Sequence, residues 1–168
     1  MVDVELRFND INISNIEKSD LPQIQTWMKL QKQFVHDETD LEELKERFLE
    51  SYISECEFFL KINREQELLG IIKGRLEFKN PNEAWIWYFY IDDKYRTANL
   101  NNKIMEELLN YFLCEYDVDI FCTRIIKSDR ESLEFWKNIG FKSVRMVKDF
   151  YSIDGKYMDM LIMKRVEV

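Results

Sequence analysis

The residues that follow an apolar stretch at 84–91 have the types and spacing of an anion-binding site. The sequence IDDKYRTANLNNKIMEELLNYF (91–112) passes from a strand end through a polar loop containing Arg96 into a helical pattern. The first backbone N–H groups of a helix have no intrahelical acceptor and lie at the positive end of its dipole. They suit a diphosphate, and an arginine adds charge-assisted hydrogen bonds. The loop is therefore predicted to contact a phosphorylated ligand.

Metal and thiol chemistry have little support in the sequence. Cys56, Cys114 and Cys122 are odd in number, lack CxxC spacing and each lie in an apolar stretch. This pattern predicts reduced, buried thiols in a cytoplasmic protein. His36 is the only histidine, and no metal site is predicted because paired His or clustered Cys are missing. We expect His36 on the surface at the end of the first helix.

Helical and strand periodicities alternate along the chain and predict the elements that position these residues. Strands are predicted at 11–16, 56–62, 68–78, 84–91, 118–126, 141–150 and 157–164. Helices are predicted from a cap at Ser19 or Asp20 through Phe34, from a capping box at Thr39 and Glu42, over 99–113, and from a capping box at Ser128 and Glu131 to Gly140. Asp154-Gly155 predicts the turn of the last hairpin.

The order β-α-α-β-β-β-α-β-α-β-β predicts an α/β fold with a mixed sheet covered by helices. The 168 residues, 46% of them hydrophobic, indicate a single domain over 1–168. Four glycines and two prolines exclude collagen-like and flexible-linker architectures.

The net charge of −8, without a basic patch, argues against a nucleic-acid partner. It is compatible with cationic partners or with an acidic, solubilising surface. The first residues lack a signal-peptide pattern, and no apolar run approaches 18 residues, so no membrane segment is predicted.

With these elements in this order, the chain resembles the GNAT acyltransferase superfamily over essentially its whole length. Residues 91–112 are similar to the family's strand, pyrophosphate loop and helix, in which Arg or Gln precedes x-x-Gly-x-Gly or Ala. The sequence DRESLEFWKNIGF (129–141) is similar to the family's late helix, which ends in Gly-Phe. The resemblance implies the GNAT fold and acetyl-coenzyme A (acetyl-CoA) as co-substrate.

The resemblance also implies which residues contact the cofactor. The strand end from Phe89 to Ile91 would pair its backbone with the pantetheine arm. Asp129 and Trp136 occupy the matching positions of the late helix. The loop residues facing the pyrophosphate would be Arg96, Thr97, Ala98, Asn99, Leu100 and Asn101.

Three departures from the family pattern bear on function. Asn99 and Asn101 stand in the two glycine positions; asparagine tolerates a left-handed backbone, but its side chain fills space. The resemblance therefore predicts weakened coenzyme A binding. Asp129 replaces the usual Asn. Trp136 replaces the Tyr that often protonates the leaving thiolate, and an indole N–H does not do this in ordinary acid–base chemistry.

No general base or acid is selected by the sequence. The family often has a carboxylate within the central strand, whereas Trp85–Tyr90 contains none. Glu83 at the strand start is a candidate base acting through water, although a solvated strand end is the simpler interpretation. Tyr151 is a candidate acid that nothing else in the sequence supports. Tyr88 and Tyr90 are predicted to share one face of the sheet. There they could line a pocket for a cationic acceptor amine or simply pack in the core, which is the simpler interpretation.

Two functional hypotheses follow. The first is an N-acetyltransferase that moves an acetyl group from acetyl-CoA to the amine of a small molecule or peptide, by direct attack in a ternary complex. The alternative is a GNAT-fold binding or regulatory protein without acetyl transfer. A homodimer formed through the aromatic strand at 84–91 is a third possibility.

Overall fold

The computed structural model describes residues 1–30 and 40–167. Within these residues, eight strands form a mixed sheet in the order β1-β2-β3-β4-β5-β6-β8-β7. The strands are β1 Glu5–Phe8, β2 Ile11–Asn15, β3 Glu57–Arg64, β4 Glu67–Glu77, β5 Asn82–Ile91, β6 Val118–Ile126, β7 Lys142–Ile153 and β8 Lys156–Val166. The α-helices are α1 Leu21–Lys29, α2 Leu41–Ile53, α3 Ala98–Tyr116 and α4 Arg130–Asn138, and a short 3-10 helix, Lys18–Asp20, precedes α1. The predicted α/β mixed sheet is confirmed.

One strand was not predicted. The N-terminal β1 pairs antiparallel with β2 through a turn at Asn9, which has a left-handed φ of 50°. Val2 and Val4, just before β1, are buried, and Asn15 holds the segment by accepting from the Val4 N–H and donating to the Val2 carbonyl. The strand has only four residues and includes charged ones, so its pairing with β2 rather than its own pattern defines it.

Acidic side chains cap α2 and α4 but not α1. Asp20 precedes α1 without a hydrogen bond from its side chain to the first turn, where Pro22 lies as expected. Asp40 caps α2 by accepting from the N–H groups of Glu42 and Glu43. Thr39, Phe34 and His36, on which other predictions rest, lie outside the described residues. At α4 the cap is Asp129, not Ser128, because Asp129 accepts from the Ser132 N–H at 3.1 Å.

Turn chemistry sets the two long hairpins. The β3–β4 turn is shorter than predicted, because Asn63 and Arg64 remain in the strand and only Glu65 and Gln66 reverse the chain. The β7–β8 turn is the predicted Asp154-Gly155 pair, with φ of 50° and 74°. Two positive φ values in a two-residue loop match the right-handed twist of the flanking strands.

The chain divides into two compact units. The first unit comprises Met1–Gly74 and Tyr88–Tyr95, and the second comprises Arg75–Trp87 and Arg96–Val168. The first unit packs α1 and α2 on one face of its strands; the buried residues there are Ile16, Leu21, Ile24, Trp27, Leu44, Phe59, Ile71 and Tyr90.

The second unit has its own apolar core. The buried face of α3 contributes Ile104, Met105, Leu108, Leu109 and Phe112. Trp136 of α4 packs edge-on against Phe141, with ring centroids 4.7 Å apart. Gly140, with a φ of 92°, ends α4 as predicted, because a left-handed residue at this point favours glycine.

Three free cysteines lie in very different surroundings. Cys122 is buried in β6 and Cys56 is partly buried, but Cys114 is exposed. The expectation that all three thiols are buried is therefore wrong for Cys114. It follows the last buried residue of α3, Phe112, by two positions, and this spacing turns it away from the core face.

Candidate functional site

In the first unit, the side chain and backbone of one residue, Asp92, hold the loop that follows β5. Asp92 accepts the Trp27 indole N–H at 3.2 Å through Oδ2 and the Lys94 N–H at 3.1 Å through Oδ1. Its own N–H donates to the Leu69 carbonyl, and its carbonyl accepts from the Tyr95 N–H at 2.9 Å. All four contacts set the direction in which the chain leaves the strand. The roles of Asp92 and Trp27 in this loop were not predicted from the sequence. An Asp at the start of a polar loop does favour an Asx turn, in which its side chain accepts a backbone N–H two residues on.

The end of β5 is closely packed on β4. A Cβ atom at Gly70 would lie 2.2 Å from the carbonyl oxygen of Tyr90, so only glycine lets the two backbones approach this closely. Tyr90 is buried beside Trp27, with ring centroids 5.6 Å apart, and it stacks on Tyr88 at an interplanar angle of 11°. Tyr88 and Tyr90 therefore share a face as predicted, and that face belongs to the core of the first unit.

In the second unit, the predicted phosphate loop becomes a helix start. Thr97 has an extended backbone and caps α3, its hydroxyl accepting from the Leu100 N–H at 3.1 Å. The Asn101 N–H donates to the Thr97 carbonyl at 3.0 Å and makes the first helical turn. The N–H groups of Ala98 and Asn99 point out of that first turn, where a helix offers them no acceptor. Ala98 and Asn99 are exposed, so these donors are accessible to a ligand.

The two asparagines in the glycine positions do not require a left-handed backbone. Asn99 and Asn101 both lie inside α3, and neither has a positive φ. Both positions are ordinary helix, so the tolerance of asparagine for a left-handed backbone is not needed at either one. What differs from glycine is the side chain. The Asn101 Oδ1 atom is buried and accepts no hydrogen bond within the described part of the chain.

Arg96 stands just before the cap of α3. Its side chain is 32% exposed, and its guanidinium lies 4.0 Å from the carboxylate of Glu131, which is 81% exposed. An ion pair as exposed as this one contributes little to stability. The exposed part of the Arg96 side chain is open to an anion, and a guanidinium binds phosphate through charge-assisted hydrogen bonds.

The late-helix residues have structural roles that the sequence did not indicate. Both carboxylate oxygens of Asp129 contact Ser132, Oδ1 accepting from the N–H and Oδ2 from the hydroxyl at 2.7 Å. Trp136 is 5% exposed and lies between the rings of Phe135 and Phe141. Asp129 thus caps α4, and the Trp136 indole is part of the core.

The candidate acid and base lie in contrasting surroundings. Glu83, the second residue of β5, forms an ion pair with Lys79, with 2.7 Å between nitrogen and oxygen, and its side chain is 14% exposed. It lies at the opposite end of β5 from Phe89 and Ile91. Tyr151 is half-buried in β7 beside the Phe150 ring, and burial raises the pKa of its hydroxyl. An ordinary tyrosine is already protonated at neutral pH, so the shift makes Tyr151 a weaker acid and does not select it as a proton donor.

Cys122 is unsuited to nucleophilic chemistry. Burial, reinforced by the negative charge of Glu83, raises the pKa of its thiol to about 11. The reactive species is the thiolate, so the thiol is inert near neutral pH. The interpretation of Cys122 as a core thiol fits this environment.

The described residues contain neither a cluster of metal-binding side chains nor a helix suited to spanning a membrane. No three His, Cys, Asp or Glu side chains among residues 1–30 and 40–167 come together as a metal site. In the same ranges, no helix combines the length and apolar content needed to cross a bilayer.

A comparison with protein families identifies the family of this chain. A family model described as an acetyltransferase (GNAT) domain matches residues 13–162. The chain belongs to the GNAT acetyltransferase family. No curated protein sequence matches it significantly.

Three solved structures illustrate the shared GNAT fold. A ribosomal-protein-S5-alanine acetyltransferase from Vibrio fischeri is 15% identical with a TM-score of 0.78, over 98% of this chain and 97% of that one. A spermidine N-acetyltransferase from Vibrio cholerae, in complex with CoA and spermine, is 14% identical with a TM-score of 0.79, over 94% and 96%. An acetyltransferase from Salmonella typhimurium that modifies the N-terminal serine of a 50S ribosomal subunit protein is 13% identical with a TM-score of 0.81, over 96% and 97%.

The start of α3 fits a phosphorylated cofactor of the kind this family uses. It offers the first-turn N–H groups of two exposed residues and a partly exposed arginine. Bound there, a coenzyme would meet the positive end of a 19-residue helix.

Proposed function

We propose that this protein is an acetyl-CoA-dependent N-acetyltransferase that acts on the amine of a small molecule or peptide. The observation that supports the proposal is the start of α3 in a GNAT-family chain, where Arg96 precedes the helix and the first-turn N–H groups of Ala98 and Asn99 lie on exposed residues. The proposal keeps Phe89 and Ile91 as backbone partners of the pantetheine arm, and Leu100 as part of the loop.

The proposed reaction is direct attack in a ternary complex. Bound acetyl-CoA supplies an acyl thioester with an electrophilic carbonyl carbon. The acceptor amine loses a proton, its nitrogen forms the new C–N bond, and the C–S bond breaks to release the coenzyme A thiol. Much of the rate can come from holding the two substrates together. Tyr151 is retained as the candidate donor to the thiolate, and Glu83 as a candidate base through water.

The class of acceptor is proposed from charge and from the fold relatives. The chain carries a net charge of −8, which favours the approach of cationic amines. Two of the structural relatives are described as acting on spermidine and on a protein N-terminal serine, both of which present amines. A cytoplasmic location is proposed with it, because the thiols of Cys56, Cys114 and Cys122 are all free.

The first experiment is calorimetry with acetyl-CoA on the purified chain. We expect saturable binding with a Kd in the micromolar range, followed by release of free thiol when spermidine or a short peptide is added. No binding heat at millimolar acetyl-CoA would overturn the proposal. Arg96→Gln is expected to weaken binding, whereas Arg130→Gln, in the first turn of α4, serves as a charge-matched control.

One observation favours a second candidate, a GNAT-fold binding protein without transfer. Trp136 is buried among aromatic rings at the position where the family often has a catalytic tyrosine. Its test is the double replacement Asn99→Gly with Asn101→Gly. The binding-only hypothesis is wrong if these changes leave acetyl-CoA affinity unchanged and the parent protein already acetylates an amine.

Domain organisation and assembly complete the proposal. We propose that residues 1–168 unfold as one domain, so that fluorescence and circular dichroism report coincident transitions in urea. A homodimer through the aromatic strand β5 is the third hypothesis, and a monomer mass in sedimentation would contradict it.

A further inference from the structure

Four cations of the second unit lie on one face of the strands β6, β8 and β7. Lys164 of β8 is the cross-strand partner of Lys142 in β7. Ile162, two positions earlier in β8, is the partner of both Arg124 in β6 and Arg145 in β7. Cross-strand partners point to the same face of a sheet, as do residues two positions apart in one strand. The surface termed the basic face here consists of Arg124, Lys142, Arg145 and Lys164.

The opposite face of these strands is covered by α3. Phe121 and Ile125 are an odd number of positions from Arg124 in β6, so they point away from the basic face, and both are buried. Arg165, the partner of Phe121 in β8, contacts the carboxylate of Glu106 in α3. The four cations therefore lie on the side of these strands that α3 does not cover.

The cations of the basic face have no acidic partner in the part of the chain that the structure describes. Three of them are exposed, Lys164 is partly buried, and none of the four forms an ion pair with a described residue. Asp119 and Asp159 are the acidic residues of β6 and β8. Each is an odd number of positions from the cation of the basic face in its own strand, so each points to the other face. The sequence indicated no basic patch because these cations come from three different strands.

Protection of the sheet edge accounts for only part of this surface. β7 is an edge strand, and exposed Lys and Arg on an edge strand discourage pairing with another chain. This explanation suffices for Lys142 and Arg145. Lys164 is in β8, the second strand from the edge, and Arg124 is in β6, the third. The two inner cations therefore need another explanation.

The spacing of the cations suits several anionic groups rather than one. Neighbouring strands are about 4.8 Å apart, so the Cα atoms of Arg124 and Arg145, two strands apart, are separated by about 10 Å. Two positions along a strand span about 7 Å, which is also the spacing of side chains two positions apart in an extended peptide. Between the cations, the partly exposed Ile162 offers an aliphatic surface. Such a surface suits the apolar side chains of a peptide, whereas single-stranded nucleic acids stack their bases on aromatic rings.

We propose that the basic face binds an acidic polypeptide segment in an extended conformation. Carboxylates of the segment pair with the four cations, and its apolar side chains contact Ile162. The inference goes beyond the proposed function, because this binding does not involve acetyl-CoA.

The test measures the binding of short labelled peptides by fluorescence anisotropy, at low salt and without acetyl-CoA. In one peptide Glu alternates with Val, and in its matched control Gln replaces every Glu. We expect saturable binding of the Glu peptide alone. Arg124→Gln should weaken this binding about fivefold, and Arg124→Lys, which keeps the charge, should weaken it less. Arg130→Gln removes an equal charge from the first residue of α4 and should leave the affinity unchanged.

Three outcomes would overturn the inference. If the Glu peptide does not bind, or the Gln peptide binds equally well, the face does not recognise carboxylates. Equal weakening by Arg124→Gln and Arg130→Gln would reveal only a general effect of charge. A single-stranded oligonucleotide of the same charge that binds more tightly and displaces the peptide would make the face a nucleic-acid surface.

The result separates this inference from the proposed function. Since the assay contains no acetyl-CoA, failure of the peptide to bind leaves the proposed acetyl transfer intact, and failure of acetyl-CoA to bind leaves the basic face intact. Arg124 and Arg130 are exposed, so the variants should keep the Tm of the unmodified protein within about 2 °C. Weaker binding with an unchanged Tm therefore reports on the surface rather than on folding.

Discussion

The two compact units differ sharply in charge. The first unit contains 10 Lys and Arg against 18 Asp and Glu, and the second contains 14 against 14. The whole net charge of −8 therefore belongs to the first unit, while the unit that contains α3 is neutral. An acidic total charge does not weigh against an anionic cofactor when the helix start that would bind it lies in a neutral unit.

The units also differ in the contacts made by a partly buried cation in each, Arg165 in the second unit and Lys73 in the first. In the second unit, Arg165 contacts both carboxylate oxygens of Glu106 at 3.0 and 3.1 Å, the Ile139 carbonyl at 2.9 Å, and Glu167. In the first unit, Lys73 is half-buried with its ammonium 5.2 Å from the centre of the Phe59 ring.

A second lysine of the first unit, Lys61 in β3, has the opposite environment. Lys61 forms ion pairs with Glu17 at 3.1 Å and Asp20 at 3.2 Å. Burial lowers the pKa of Lys73, and the nearby Glu57 offsets this only in part. Burial also lowers the pKa of Lys61, but hydrogen bonds to Glu17 and Asp20 outweigh it and the net shift is upward. The first unit therefore contains one cation that stabilises it and one that costs stability.

Replacing Arg165 tests the strongest polar contact of the second unit. We expect Arg165→Met to lower the free energy of unfolding by about 3 kcal/mol, because Glu106 and the Ile139 carbonyl lose their partner. Urea unfolding measures this. Arg165→Lys is the control and should recover only part of the loss, since lysine lacks the planar fork. A loss below about 1 kcal/mol would contradict the importance given to this contact.

Replacing Trp27 tests the corresponding contact of the first unit. Trp27→Phe removes the donor to Asp92 and leaves a small void, so we expect a loss of about 2 kcal/mol. Asp92→Asn weakens the same bond and is the partner for a double-mutant cycle. The double variant should lose less than the sum of the two single variants. Simple additivity would mean that the indole–carboxylate bond contributes nothing.

Lys73→Met should stabilise the protein by about 1 kcal/mol at pH 7, because an apolar side chain replaces an ammonium whose burial is only partly offset by the charge of Glu57. The gain should shrink as pH rises from the lowered folded-state pKa of Lys73 toward the ordinary value of 10.5, since the folded chain loses this proton first.

Lys61→Met is the matched control and should be destabilising. The contribution of Lys61 is present below 10.5 and is lost as pH rises through its raised folded-state pKa. Urea unfolding from pH 7 to 11 separates the two variants. Equal behaviour of both variants would remove the distinction between the two lysines.

The smallest expected effect is that of salt. Added sodium chloride screens like charges, so amides of the first unit that exchange through local openings should gain about 0.5 kcal/mol or less in protection, while locally exchanging amides of the second unit stay unchanged. Segment-resolved hydrogen exchange measures these local openings separately from global unfolding, which protects both units together. Equal gains in the local openings of both units would show that the charge difference has no energetic consequence.

Much of the fold could be predicted from sequence because its signals are local. Strand β6 has the predicted bounds, 118–126, and Asp154-Gly155 and Gly140 occupy the turn and helix end that their residue types favour. Strand β1 was missed because it has only four residues: Glu5–Phe8 alternates charged and apolar side chains, but so short a run becomes a strand through its pairing with β2. The cap of α4 was placed one residue early because Ser128 and Asp129 are both good capping residues.

The candidate site was predictable in outline, as a strand, loop and helix with Arg96 before the helix start. Its details were not. Asp92 contacts Trp27 across 65 positions of the chain, and such a pairing leaves no local trace. The Asn101 side chain was expected to obstruct a phosphate, but its amide oxygen is buried instead.

The sequence by itself determined the family, the order of elements and the helix start that can bind an anion, because periodicity, caps and turns act over a few residues. The tertiary structure alone decided how the charge is divided between the two units and that Lys61, rather than Lys73, forms ion pairs with carboxylates. It also decided that the amide oxygen of Asn101 is buried without a donor among the described residues. These properties depend on which distant segments pack together and exclude water, and burial changes the energy of a charge or an amide far more than neighbouring residues do.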